Sequence, residues 1–324
     1  MKKLVFFVVF GILSLWANDI YNLVDEYRKN GVSGVKSELE KYLLDKSYWS
    51  NYLAKIDTRF GYFESVDFIF IASKQKQSLA LYKLESQKAT LLNNTSAIFG
   101  SNKNDKSIQG DLATPIGVYD LTQKLKNLDQ YYGPLAFATS YPNLYDRLQK
   151  KTGYGIWIHG LPLNGSRDDN TKGCIAIDNA TLQQYEKDID YSKTILITYP
   201  NEVKEASKEA LATILHGLFV WRDAWINNDL DLYLGFYSDK FMRFDGMRIS
   251  QFRDFKKRIF AKEESKSIEF RDINIAFYPN TSGLDLYRVR FFEDYKVQNG
   301  YKFSGTKELY VLVESGKMKI IVEK

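Results

Sequence analysis

The feature that most limits the folds open to this chain is a repeated change of hydrophobic period. Residues 19–60 place apolar side chains at helical spacing. Ile20, Leu23, Val24 and Tyr27 share one face, and Val35, Leu39, Tyr42 and Leu43 share another beyond breaks at Gly31 and Gly34. From Val66 to Pro200 the spacing is that of strands. Residues 66–72, 78–84, 113–119, 156–159 and 194–198 are expected as strands, with 161–173 a polar loop containing Asn164-Gly165 and Arg167-Asp168-Asp169-Asn170. Leu211, Ile214, Leu215, Leu218 and Trp225 then return to helical spacing, and Asp229-Leu230-Asp231 can cap a second helix. After residue 265 the chain alternates again: Ile268 and Phe270; Ile273, Ile275 and Phe277; Tyr287, Val289 and Phe291; Leu309, Val311 and Val313; Ile320 and Val322. Gln298-Asn299-Gly300-Tyr301 reads as a hairpin turn. One layer cannot bury faces of such different period. The expectation is a multidomain α+β protein: a helical region over 18–60, a mostly-β domain over 61–200, and an α+β domain over 201–324 whose helices pack on a curved antiparallel sheet. With 324 residues, 44% of them hydrophobic, the chain is long enough for more than one core.

The first 17 residues stand apart. Lys2-Lys3 precede a nearly uninterrupted apolar run from Leu4 to Leu15, and Ala17 precedes polar Asn18-Asp19. A basic start, about a dozen apolar residues and a small residue before a polar segment describe a secretory signal. The run is short for a membrane span, which needs ~20 apolar residues, and no later segment is more apolar. The expectation is export to the periplasm by residues 1–17, with no membrane span after cleavage. The helices of 18–60 are too short to form a core alone. They either cap the next domain or pair with a second copy as a homodimer.

Composition closes several routes. Lys and Arg number 45 against 40 Asp and Glu, a net charge of +5, too mild to argue for nucleic-acid binding. Gly153-Tyr154-Gly155 lacks the third glycine and the lysine of a phosphate-cradling loop. There are two histidines, His159 and His216, and no HExxH or paired CxxC spacing, so neither a metal nor a cofactor is expected. His216 lies in a helical pattern and reads as structural. Cys174 is the single cysteine, so no intrachain disulfide can form. Exported proteins usually pair their cysteines or lack them, and an unpaired thiol in an oxidising compartment points to a nucleophile.

His159 ends an apolar strand and Cys174 ends the loop that follows. A loop that leaves and rejoins a sheet can bring its ends within hydrogen-bond reach. Free cysteine has a pKa of ~8.5 and is mostly protonated near neutral pH, so a nucleophilic thiol needs a base or a positive neighbour. Gly173 leaves the thiol unobstructed, and its N–H with that of Cys174 is a candidate pair of oxyanion donors. On spacing alone the pair reads equally as a catalytic dyad or as a buried Cys and His.

Three segments break that tie. Asp111-Leu112-Ala113-Thr114-Pro115-Ile116-Gly117-Val118-Tyr119, Ile158-His159-Gly160 and Thr171-Lys172-Gly173-Cys174-Ile175 resemble, in order, the L,D-transpeptidase (YkuD) catalytic domain over about residues 62–200. The resemblance implies that Cys174 attacks the bond after the L-centre of diaminopimelate in a peptidoglycan stem and expels D-alanine. It implies His159 as base and the Gly160 carbonyl as the group that orients it. Lys172 and Ala176 stand where the family commonly has His and Arg; the missing arginine puts ordinary crosslinking in doubt, while the base is matched by His159. Residues 205–324, with Trp221-Arg222-Asp223-Ala224-Trp225, resemble an NTF2-like domain. The whole arrangement is similar to the cell-shape-determining L,D-carboxypeptidases of helical Gram-negative bacteria, which trim tetrapeptide stems to tripeptides. That implies a peptidoglycan L,D-carboxypeptidase contributing to helical cell shape. The alternatives are an L,D-transpeptidase that forms crosslinks or exchanges D-amino acids, and a non-catalytic glycan-binding or scaffold protein. Trp157, Thr171, Lys172, Tyr131 and Tyr132 are candidate substrate contacts. Lys307, in phase with Leu309, Val311 and Val313, is a candidate for the NTF2-like pocket.

Overall fold

The computed structural model describes the backbone of residues 3–165, 169–298 and 300–324, with side chains from residue 20 onward. Arg167 and Asp168 of the expected loop, Asn299 of the expected hairpin turn and the side chains of the expected export segment lie outside the described residues. Among the described residues no helix is long and apolar enough to cross a membrane.

Helices α1 (Lys3–Leu43) and α2 (Lys46–Ala54) open the chain. Gly31 interrupts α1 with φ 65° and ψ −158°, a left-handed conformation that glycine adopts without steric cost. Asp45 caps α2 by accepting from the Ser47 N–H. The next region contains β1 (Gly61–Phe63), β2 (Phe68–Ser73), β3 (Ser78–Glu85), β4 (Lys88–Ser96), β5 (Gly117–Leu125), β6 (Ala136–Thr139), α3 (Leu144–Leu148), β7 (Trp157–His159), β8 (Ile175–Ala176), α4 (Asn179–Asp188) and β9 (Thr194–Tyr199). Eight of its strands form one sheet, ordered β4-β3-β2-β9-β5-β6-β7-β8. Parallel β2 and β9 lie inside it and are buried along their whole length, which is why both read as unbroken apolar runs.

The C-terminal region holds α5 (Lys208–Ile226), α6 (Leu230–Gly235), β10 (Tyr237–Arg243), α7 (Ile249–Phe260), β11 (Lys266–Phe277), β12 (Leu286–Val297), β13 (Lys302–Glu314) and β14 (Lys317–Glu323). Ser207 caps α5, and Leu211, Ile214, Leu215, Leu218, Trp221 and Trp225 turn its apolar face onto the sheet. That sheet runs β1-β11-β12-β13-β14-β10. Its first strand corrects the boundary drawn at residue 61. Gly61–Phe63 pairs antiparallel with β11, so the chain lays down an edge of the C-terminal sheet before entering the eight-stranded one. Three residues are too few to show a period.

The eight-stranded sheet has two unlike faces. Phe68, Phe70, Tyr119, Leu121, Phe137, Ile158 and Ile175 pack with Leu182 and Tyr185 of α4. Ile69, Ile71, Val118, Ile195 and Ile197 join the core of the C-terminal domain instead. Polar ties reinforce this junction. Asn143 Nδ2 donates to Tyr278 Oη at 2.9 Å and to the Val118 carbonyl at 3.1 Å, while Arg288 reaches both oxygens of Asp120 at 3.1 and 2.6 Å.

Candidate active site

His159 is held from both sides of its strand. It stands in register with Ala136 of antiparallel β6 and Ala176 of parallel β8, both fully buried. Methyl groups flank the imidazole where larger side chains would crowd it. This also bears on the departure at 176, since an arginine beside His159 would have to displace buried neighbours.

The corner after the strand fixes the ring. His159 Nδ1 lies 2.7 Å from the Gly160 carbonyl oxygen. A carbonyl only accepts, so Nδ1 carries the proton and Nε2 is left as the basic nitrogen. The Gly160 N–H donates to the Tyr132 carbonyl at 3.0 Å. Asn179, the first residue of α4, accepts from the Leu161 N–H at 2.9 Å. A Cβ on Gly160 would stand 2.1 Å from that Asn179 Oδ1, so the corner has room only for glycine. The Tyr132 ring meets the imidazole edge-on at 5.1 Å and Trp157 at 5.2 Å, and Tyr131 packs on Tyr132 at 5.5 Å. Tyr131 is exposed; Tyr132 and Trp157 are half-buried.

Cys174 enters β8 from the loop. Ile175 is level with Ile158 and Ala176 with His159, so two-residue alternation puts Cys174 beside Trp157 on the sheet face that carries His159. The thiol is half-buried, with Sγ 3.4 Å from the Gly155 carbonyl oxygen.

The loop before it corrects two expectations. Thr171 is 4% exposed, and its hydroxyl donates to the Cys174 carbonyl at 2.7 Å while accepting the Gly173 N–H at 3.0 Å. Thr171 therefore shapes the loop from within and does not face substrate. The Gly173 N–H is engaged in that same bond, so it is not aimed at an oxyanion. Gly173 is required for another reason: its φ is +131°, and a Cβ there would meet the Ala113 carbonyl oxygen at 2.8 Å. Lys172 is exposed beside it.

The segment around Thr114-Pro115 braces this loop. Thr114 Oγ1 accepts the Gly100 N–H at 2.9 Å, and the Thr171 N–H donates to the neighbouring Phe99 carbonyl at 2.8 Å. Lys74 is 2% exposed and donates to the Thr114 and Asn104 carbonyls at 2.8 and 2.6 Å. Burial pushes its pKa down to about 8. Asp111 accepts the N–H groups of Ser107, Ile108 and Ala113, and the Lys106 ammonium at 2.7 Å. Burial would raise its carboxyl, but these donors outweigh it and hold the pKa at about 2 instead of 3.8. A carboxylate depressed in the fold stabilises it above the unfolded pKa. Linkage predicts a loss of about 2–3 kcal/mol as pH falls from about 5 to about 1. Urea unfolding of wild type and Asp111→Asn across that range should show the two converging at low pH.

Lys307 lies far from this site. It is buried inside the C-terminal domain, with Nζ 2.7 Å from Glu323 and 5.6 Å from the Trp225 ring. Burial would raise the Glu323 carboxyl, but the Lys307 and Lys256 charges hold it below the usual range. Lys256, Nζ 4.4 Å from the same tryptophan, is a partner that sequence reasoning missed. Its signal was present, since Phe252, Lys256 and Phe260 recur every fourth residue and all are buried.

Comparison with known proteins agrees with this architecture. Residues 67–197 match the L,D-transpeptidase (YkuD) catalytic domain, and residues 213–324 match the Cds6 C-terminal NTF2-like domain. Among curated proteins none matches the chain significantly. Among solved structures, the helical cell shape determining protein Pgp2 of Campylobacter jejuni is 42% identical over 87% of this chain and 100% of its own, with a TM-score of 0.82. A point mutant of that protein gives 0.83. Bd1075 of Bdellovibrio bacteriovorus, 24% identical over 80% of this chain and 92% of its own, shares the fold at a TM-score of 0.64. The fold and site define a YkuD-type L,D-peptidase that carries a C-terminal NTF2-like domain. Within that class, the chain belongs to the family that includes Pgp2.

Proposed function

We propose that the protein is a periplasmic, cysteine-dependent L,D-carboxypeptidase that trims peptidoglycan tetrapeptide stems to tripeptides and thereby contributes to helical cell shape. The observation that carries this reading is the His159 corner. A ring whose Nδ1 proton is committed to the Gly160 carbonyl offers Nε2 as base, on the sheet face that bears Cys174.

Nε2 takes the Sγ proton, and the thiolate attacks the carbonyl carbon of the bond between diaminopimelate and D-alanine. The imidazolium returns that proton to the departing amine, so the C–N bond breaks and D-alanine leaves. The Cys174 thioester is then attacked by water, whose proton passes to Nε2. Collapse regenerates the thiol and frees the tripeptide. The half-buried ring of Tyr132 shields one side of the imidazole, which favours a fixed ring over a rotating one.

Incubation of purified protein with disaccharide-tetrapeptide, read by product mass, tests the proposal. Disaccharide-tripeptide and free D-alanine are expected in equal amounts. Crosslinked dimers, or stems whose D-alanine has been exchanged for another D-amino acid, would mean that an amine resolves the thioester and that the protein is a transpeptidase.

A further inference from the structure

The Gly153-Tyr154-Gly155 turn, which is no phosphate-cradling loop, lies against the nucleophile. The Gly155 carbonyl oxygen is 3.4 Å from Cys174 Sγ. Tyr154 is the next residue back, its Cα ~3.8 Å from that of Gly155. Its side chain is 77% exposed, the most of any large apolar side chain among the described residues, and it has no bonding or ring partner among them. We propose that Tyr154 is a specificity-determining residue whose ring receives the side-chain ammonium of the diaminopimelate that Cys174 attacks. The inference rests on the peptidase reading above and deepens it.

The turn is an arch held at both ends. Thr152 donates its N–H to the Ser107 carbonyl at 2.9 Å and accepts the Gln109 N–H on Oγ1 at 3.0 Å. The Thr152 carbonyl accepts from the Tyr141 hydroxyl at 3.0 Å. At the other end the Ile156 carbonyl accepts the Thr139 N–H and hydroxyl at 3.0 and 2.8 Å. Gly153 and Gly155 have φ of +103° and +70°, a region that glycine enters without steric cost. The Tyr154 ring has no part in this framework. A lone exposed tyrosine is ordinary on a surface, but one whose backbone is fixed beside the nucleophile is placed to meet substrate.

The direction of the reaction selects which part of the substrate arrives there. Cys174 is level with Trp157 of β7; His159 follows that position by two residues and Gly155 precedes it by two. The base and the arch thus flank the thiol from opposite ends. The departing D-alanine amine must face His159 Nε2 to take its proton. That turns the acyl part, with the diaminopimelate side chain, toward the arch. This side chain is an aliphatic stem ending in a centre that bears an ammonium and a carboxylate. Asp105 and Asp111, the carboxylates bound into this corner, are taken by Lys151 at 2.6 Å and Lys106 at 2.7 Å. The open π face of Tyr154 remains, and such a face attracts an ammonium within ~6 Å. Ile108 is 60% exposed on the turn bonded to Thr152 through Ser107 and Gln109, and gives the aliphatic stem an apolar neighbour.

The experiment compares kcat/KM for disaccharide-tetrapeptide with that for the same compound acetylated on the side-chain amine of diaminopimelate. Wild type should prefer the free amine by ~5–30-fold, from about 1–2 kcal/mol at about 1.4 kcal/mol per factor of ten, chiefly through KM. Tyr154→Phe keeps the π face and should keep the preference, whereas Tyr154→Leu should bring it close to one. Without substrate, iodoacetamide should alkylate Cys174 in Tyr154→Leu at the wild-type rate, since the arch does not depend on the ring. A changed rate would make Tyr154 a support for the thiol and overturns the proposal. A preference that survives in Tyr154→Leu, or is lost in Tyr154→Phe, also overturns it. A wild-type preference near one, with D-alanine released from both compounds, overturns it and leaves the peptidase reading standing. Release from neither compound overturns the peptidase reading and the proposal together.

Discussion

Alanine in place of Cys174 is expected to lower D-alanine release from disaccharide-tetrapeptide by at least ~10⁴-fold, the scale on which covalent enzymes lose activity with their nucleophile. Among the described residues of the loop, no second hydroxyl is free to take over the attack. Thr171 has a hydroxyl, but it is buried and committed to the Cys174 carbonyl and the Gly173 N–H. His159→Ala should fall by ~10²–10⁴-fold, because the thiol remains and only proton transfer is lost. An unchanged far-ultraviolet circular dichroism spectrum would place both losses in the chemistry. Activity of Cys174→Ala within tenfold of wild type would mean that another group is the nucleophile.

The largest stability effect is expected at the domain junction. Arg288 is 4% exposed; its Nη1 and Nη2 serve both oxygens of Asp120, and its Nε lies 3.2 Å from Glu308. Burial lowers the ease of protonating this guanidinium, but Asp120 and Glu308 overcome that and hold its pKa well above the ordinary value. Alanine there would leave Glu308 without its cation and Asp120 with Arg290 alone. Breaking a buried ion pair in this way costs about 3–5 kcal/mol. Urea unfolding of Arg288→Ala should show an unfolding free energy lowered by that amount. The difference should shrink toward pH 4, where protonation relieves the stranded carboxylates. A loss below about 1 kcal/mol would mean that the apolar contacts around Val118 and Ile197 hold the junction without help from the ions.

Much of this architecture was legible because long amphipathic elements advertise their period. The buried runs of β2 and β9 and the face of α5 needed only spacing to be read. Three elements were not readable in this way, each for a physical reason. Ile268 and Phe270 fall out of phase with Ile273, Ile275 and Phe277, which suggests two strands. They belong to the single strand β11, where a register shift between Arg271 and Asn274, with Asp272 at φ 57°, restores one face to the core. β4 escaped notice because its residues are mostly exposed, as an edge strand allows. β1 finds its partner more than 200 residues away, a distance at which no local pattern operates.

The site divides along the same line. Motif order singles out Cys174, His159 and Gly160 as candidates, and the fold places the first two on one sheet face with the Gly160 carbonyl on the imidazole. Asn179 was not legible, since an asparagine opening a helix reads as an ordinary start signal. Only the fold brings its Oδ1 against Gly160 and the Leu161 N–H. Thr171 and Gly173 were expected as a substrate contact and an oxyanion donor, and sequence cannot show that the Gly173 N–H and the Thr171 hydroxyl bond each other inside the loop. Hydroxyl and amide partners inside a loop are set by its closure, which depends on Phe99 and Ala113 from distant segments.

The most direct test of the central claim is the mass of the protein during turnover. Acid quenching within the first turnovers on disaccharide-tetrapeptide should trap an adduct equal to the substrate less D-alanine. Peptide mapping should place it on Cys174, and it should decay to free thiol and disaccharide-tripeptide. The adduct should be absent from Cys174→Ala. Release of D-alanine at the wild-type rate without any adduct on Cys174, or with the adduct on another residue, would contradict the account.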